Sequence, residues 1–266
     1  MRGARTAACA GEVTLIWAWG AECGTLEAMR IVVCVKHVPD MQSERRFEGG
    51  RLVRGEDDVL NELDENAIEA AVQLKETEED AGREAEVVAL TMGPEDAEDA
   101  LMRALQMGAD RAYLVSDEFL EGSDVITTAS VLSVAIAKIA DECGPVDLVI
   151  TGMASLDAMT SMLPGALAAK AHMPLLGLAR SMSVEDGTVT IERSVDGFTE
   201  TLRAALPAVV SVTDQINEPR YPAFAAMKAA RKKPLDQWGI DDLVEVPGGE
   251  TLVMRRALTS VTFSEE

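Results

Sequence analysis

Few side chains in this 266-residue sequence are placed to do covalent chemistry. His37 closes an apolar run and His172 precedes Met173-Pro174, and neither has a Ser or Cys and an Asp arranged as a nucleophile with its base. Each reads more simply as a hydrogen-bonded structural residue near a loop. Cys9, Cys23, Cys34 and Cys143 stand at long, irregular spacings with no CxxC pair, so neither a disulfide framework nor a zinc site is expected. No GxxxxGK[ST] and no strand-linked GxGxxG occurs, which removes the standard phosphate fingerprints. These observations assign no catalytic residue and no metal ligand.

Non-covalent binding has better candidates. Thr151-Gly152-Met153-Ala154-Ser155-Leu156-Asp157 leads through Thr160 and Ser161 to a helix expected from about Leu163. The free N–H groups and positive dipole of such a helix accept a phosphate, and Ser155, Thr160 and Ser161 add hydroxyl donors. The same segment suits an ordinary loop and helix cap equally well. Cys34 to His37 and Met92-Gly93-Pro94 are two further strand ends where a doubly wound sheet would place a ligand.

The elements that must hold these loops are legible from apolar periodicity. Strands are expected at Arg30 to Val38, Glu86 to Met92, Arg111 to Val115, Val146 to Thr151 and Leu206 to Val212, each an apolar run typical of a buried parallel strand. Between them, Asn61 to Lys75 places Leu63, Ala67, Ala70, Ala71 and Leu74 on one helical face, Pro94 to Met107 opens with Pro and acids and stops at Gly108, and Ser123 to Ala140 forms a third helix. Strand and helix in alternation predict an α/β fold with a doubly wound, mostly parallel sheet. Gly165 to His172 reads as a short helix and Ser181 to Ser194 as a β-hairpin turning at Glu185-Asp186-Gly187. The expected organisation is an extension over residues 1–28, a nucleotide-binding domain over 29–235 and a C-terminal arm over 236–266 packed on a partner. The extension carries no pattern that continues into the domain, so it is expected to be disordered or the product of an upstream start codon, a short ordered arm being the alternative.

Charge excludes several classes of partner. The chain carries 24 Lys and Arg against 46 Asp and Glu, a net −22, which disfavours nucleic acid and anionic membranes. No apolar run is long enough for a membrane span, and the scattered cysteines favour a reducing, cytoplasmic location. Between Arg54 and Arg103 there are 17 acids against 4 bases, the solvated faces of two helices. Between Arg220 and Lys233 the sign reverses, with 5 bases, no acids and an exposed-looking Phe224 after two prolines. Such a segment suits an acidic protein surface, where charge steers the encounter and an apolar anchor supplies affinity.

Several stretches also resemble a known family. Met29 to Asp40 (MRIVVCVKHVPD), Asn61 to Glu76, Ala104 to Arg111 (ALQMGADR), Val146 to Asp157 (VDLVITGMASLD) and Leu206 to Pro234 (LPAVVSVTDQINEPRYPAFAAMKAARKKP) are similar to the β subunit of electron transfer flavoprotein, in order from Met29 to about Leu243. The GMASLD form resembles the actinobacterial branch. The resemblance implies an adenine-nucleotide-hydrolase-like α/β fold and a heterodimer with an α subunit that holds the redox FAD. Electrons would pass from acyl-CoA and related dehydrogenases to a membrane quinone oxidoreductase, with a structural AMP in the β subunit and no catalytic residues of its own. By motif, AMP contacts would fall on Cys34, on Asn61, Glu62, Leu63 and Asp64, on Met92, and on Gly152, Met153, Ala154, Ser155, Leu156, Asp157, Thr160, Ser161, Met162 and Leu163. The dehydrogenase recognition loop would span Asn217 to Lys233, with Phe224 as anchor and Arg220, Tyr221, Lys228, Arg231, Lys232 and Lys233 around it. Met41 and Leu63 match positions that approach the partner's flavin.

The departures are local. Where many family members carry a Gln or Glu, a run of Asp and a Gly in the phosphate loop, this chain has Ala154, Ala158, Met159, Ser161 and Met162, and only Asp157 and the helix start are retained. An acid that other members place in the hairpin, implicated in α-subunit domain movement, is Ser194 here. An electron-bifurcating form with FAD in the β site and a stand-alone nucleotide-binding α/β protein stay open as alternatives.

Overall fold

The computed structural model describes residues 28–55, 57–246 and 249. The extension expected before residue 28 and nearly all of the chain beyond 246 lie outside the described residues.

Strand β1 (Met29–Cys34) opens the central sheet, and β2 (His37–Pro39) leaves it for an excursion through β3 (Phe47–Glu48), β4 (Arg51–Leu52) and β5 (Asp58–Leu60). Helix α1 (Glu62–Asp80), β6 (Ala85–Met92), α2 (Glu98–Met107), β7 (Arg111–Val115), α3 (Val125–Cys143), β8 (Leu148–Gly152) and α4 (Leu163–Ala171) follow. The second half adds β9 (Leu175–Ala179), β10 (Ser181–Glu185), β11 (Thr188–Val195), β12 (Phe198–Ala205), β13 (Ala208–Val212), α5 (Phe224–Ala230), β14 (Leu235–Trp238) and α6 (Ile240–Val244). Seven strands in the order β14-β7-β6-β1-β8-β13-β9 pair in parallel throughout.

The unbroken apolar runs follow from this layering, because a parallel sheet is covered on both faces. Ile31 and Val33 point to a core built with α1 and α2, while Val32 and Cys34 point to one built with α3, α4 and α6. Helix α3 starts where Asp124 accepts the Thr127 N–H at 2.7 Å. Helix α2 stops at Gly108, whose φ of 137° is open to glycine alone and whose missing side chain leaves room for Val72.

Three local expectations change. The first strand ends at Cys34 rather than Val38, because the Lys36 N–H is taken by the Asp64 carboxylate at 2.9 Å and His37 to Pro39 pair antiparallel with β5. The hairpin at 181–194 is a three-stranded meander, since Phe198–Ala205 pairs along β11. Both of its turns are Asp-Gly with positive φ at each residue, Asp186-Gly187 and Asp196-Gly197, the backbone that two-residue hairpins require. The arm assigned to residues 236–266 begins inside the domain. β14 crosses the 235/236 boundary and pairs with β7, and Trp238 stacks on Tyr113 at a centroid distance of 4.2 Å. That stack contributes about 0.5–1.5 kcal/mol beyond burial, enough to hold an edge strand with little amphipathic pattern of its own.

Candidate functional site

β1 and β8 are neighbours, yet the chain reaches β6 on one side of β1 and β8 on the other. The connections beyond their carboxyl ends therefore diverge and leave a crevice, the place where open α/β sheets bind ligands.

One wall is the loop after β8, and buried polar side chains hold its shape. Asn61 is fully buried; its amide donates to the Ala154 carbonyl at 3.0 Å and its side-chain oxygen accepts from the Leu156 N–H at 3.0 Å. Gly152 permits the close approach of α1 to this strand end, since a side chain there would meet the Asp64 carboxylate at 2.4 Å and the Leu63 carbonyl at 2.8 Å. Burial pushes the Asp64 carboxyl up to about 7, against the hydrogen bonds from Asn61 and from the Lys36 and Gly152 backbones that favour its charged form. Burial, and behind it the Asp64 charge, pushes the Cys34 thiol up to about 12. The Cys34 side chain is thus a neutral part of the core beneath the strand end.

Further along, the loop closes a turn in which the Ser155 carbonyl accepts the Met159 N–H at 2.8 Å. Met159 (φ 51°) and Ser161 (φ 53°) both adopt the left-handed conformation, which is costly for side-chain-bearing residues and recurs where a loop forms an anion-binding concavity. Helix α4 then starts at Leu163 with Pro164 in its first turn and no side-chain cap on its N–H groups. Thr160, Ser161 and Met162 are exposed beside it.

Cations stand over the same loop. The Asp157 side chain is only 2% exposed, and burial alone would raise its pKa. Lys36 Nζ at 2.7 Å and the Arg54 guanidinium reverse that and hold its carboxyl well below the usual range. Arg45 donates to the Leu156 carbonyl at 3.0 Å. Lys36 and Arg54 thus meet one carboxylate with Arg45 on the loop beside it, which leaves a positive corner in a chain of net charge −22. Sequence reasoning missed all three. The available signal was Arg45, Arg46, Arg51 and Arg54 within ten residues, between two acidic stretches.

The structure therefore brings Asn61, Leu63, Asp64 and Gly152 to Asp157 together at the crevice. Met92 lies half-buried at the end of β6, and Glu62 is exposed on the first turn of α1. His37 departs from expectation, because its ring is buried and neither nitrogen has a hydrogen-bond partner among the described residues.

The basic segment divides into two kinds of residue. Arg220 grips Glu69 at 2.7 Å and Glu76 at 2.6 Å, and Asn66 and Asn217 exchange hydrogen bonds at 3.0–3.1 Å. Lys233 donates to the Leu105 and Ala109 carbonyls at the end of α2. These two cations fasten the segment to its own domain, a correction to their assignment as docking residues. Between them Tyr221 is 93% and Phe224 81% exposed, with Lys228, Arg231 and Lys232 exposed around the short helix α5.

Comparison with known proteins fits this arrangement. The model of the electron transfer flavoprotein domain matches residues 50–243. The chain belongs to the electron transfer flavoprotein β-subunit family. It is similar to the electron transfer flavoprotein subunit beta of Mycobacterium leprae, 43% identical over 206 residues and 76% of each chain. It is 33% identical to subunit CarD of the caffeyl-CoA reductase-Etf complex of Acetobacterium woodii, over 81% of this chain and 80% of the other. It is also 33% identical to protein FixA of Azorhizobium caulinodans, over 89% and 90%. The electron transfer flavoprotein domain thus takes in the crevice loop, Arg54 and the basic segment, while Cys34 and Lys36 precede it.

Proposed function

We propose that this chain is the β subunit of a heterodimeric, cytoplasmic electron transfer flavoprotein whose crevice carries a structural AMP. Its α partner would hold the redox FAD and receive electrons from acyl-CoA and related dehydrogenases, as in fatty acid oxidation. A membrane quinone oxidoreductase would take them on. The observation that carries the nucleotide assignment is the loop at 152–163: an uncapped helix start and two left-handed residues beneath Lys36 and Arg54.

The residues fit a nucleotide monophosphate in kind. The N–H groups from Thr160 to Leu163 would donate to phosphate oxygens, and Lys36 and Arg54 would neutralise their charge. Asn61 and Asp64 would act from beneath, fixing the loop rather than touching the ligand. Asp157 would set the directions of the two cations. The bound FAD supplies all the redox chemistry; this chain's share is to orient its partners and dock the donor through Phe224 and the cations around it.

Extraction and quantification of nucleotides from the purified heterodimer tests this reading. One AMP and one FAD per heterodimer are expected. Two FAD and no AMP would replace it with the bifurcating form, and a stable monomer when the chain is expressed alone would favour the stand-alone reading.

A further inference from the structure

The unpartnered His37 ring points to a second site. His37 lies at the start of β2 and is 8% exposed, and both of its nitrogens are buried without a hydrogen-bond partner. Such an orphaned ring is costly and uncommon, and it asks for a partner that the described residues do not provide. Two carboxylates stand close to it. Asp58 pairs with Pro39 across the β2–β5 ladder and so sits diagonally from His37, on the strand where Leu60 is its direct partner. Asp96 comes from the 3-10 turn (Glu95–Ala97) ahead of α2. One donor atom from each of the three residues lies within 4.8 Å of the others.

We infer that His37, Asp58 and Asp96 form a binding site for one divalent transition-metal ion, of which zinc is the type. Imidazole nitrogen with two carboxylate oxygens is a donor set that zinc takes readily, at about 2.0–2.2 Å, with water completing the coordination. The half-buried Asp58 and buried His37 supply a rigid edge, and the exposed Asp96 can close on the ion by turning its carboxylate. Two carboxylates and a neutral imidazole give a net −2, so a divalent cation leaves the cluster uncharged. Arg54 donates to the His37 carbonyl at 3.4 Å, but its charge is already answered by Asp157. Sequence spacing cannot show this site, because its residues lie 21 and 38 positions apart and meet only through the β2–β5 ladder and the turn before α2. The inference is independent of the nucleotide assignment.

The test is zinc binding by the full-length chain in its purified complex. The complex is stripped with chelator, dialysed against micromolar zinc chloride and assayed by elemental mass spectrometry. One equivalent per chain is expected above any background held by the cysteines. Asp96→Asn, at an exposed position that leaves the fold intact, should weaken that equivalent at least tenfold. His37→Gln should do the same, and Glu98→Gln, two residues along the chain, should change nothing. Cobalt in place of zinc should give a visible spectrum without the intense near-ultraviolet band of thiolate ligation. Absence of zinc uptake, or uptake unchanged in Asp96→Asn, would overturn the site.

Discussion

Two positive patches interrupt this acidic chain, and they differ in where their charge is directed. At the crevice, Lys36 and Arg54 converge on the nearly buried Asp157 carboxylate, and Arg45 holds the loop beside it. At the basic segment, the outer cations Arg220 and Lys233 are tied to α1 and α2, and the inner ones project into solvent around Phe224. A cation with a buried partner builds a shape; one without a partner attracts something else. The crevice is therefore suited to a small anion in a fixed geometry, and the segment to a large acidic surface met by diffusion.

The largest effect that would sharpen this contrast is expected at Phe224. An 81%-exposed aromatic on a fastened segment has the character of an interface anchor, so Phe224→Ala should slow electron transfer from an acyl-CoA dehydrogenase tenfold or more with flavin content unchanged. An unchanged rate would remove it as anchor. Neutralising Lys228, Arg231 and Lys232 should flatten the fall of that rate with rising salt, because exposed charges act over a screened distance; a salt dependence equal to the parent's would count against steering.

Arg220 should behave differently from its neighbours. Arg220→Gln leaves Glu69, only 4% exposed, without its cation, and should lower the stability of the complex to denaturant by about 2 kcal/mol. Lys228→Gln, made for comparison, should lower it by less than about 0.5 kcal/mol. Equal effects would mean that Arg220 does not fasten the segment.

The last effect concerns pH. Asp64 is raised to about 7 in the folded chain from about 4 unfolded, so the folded state binds the extra proton between those values. Its contribution to stability is then full below about pH 4 and declines as pH rises to about 7. Asp157 has the opposite sign: its lowered pKa stabilises above the unfolded value, and that contribution is lost as pH falls below about 4. Asp64→Asn should therefore flatten the change in denaturation midpoint between pH 5 and 7.5. An identical pH profile would show that Asp64 is already charged there.

The same two regions show what a sequence can reveal. The central strands were legible because a sheet covered on both faces demands continuous apolar runs, and the run at Arg111 to Val115 coincides with β7. The loop at 152–163 was legible as a helix start below hydroxyls, and the basic segment as a reversal of sign. What stayed hidden depends on contacts between distant residues. Asn61 reaches Ala154, Lys36 and Arg54 reach Asp157, and Arg220 reaches Glu69. Periodicity reports which way a side chain faces, not which partner it meets there. For that reason Arg220 and Lys228 look alike in the sequence and differ in the fold. The edge strand β14 was missed for a related reason, since its hold on the domain comes from Trp238 against Tyr113.

The central claim is that the crevice loop and the two cations above it hold the phosphate of a nucleotide. It is tested most directly by measuring the AMP that co-purifies with the heterodimer carrying Lys36→Met and Arg54→Met together. The account predicts close to one AMP per parent heterodimer and less than about a tenth of that in the double variant, with the α-subunit flavin retained. A double variant as full of AMP as the parent would contradict it.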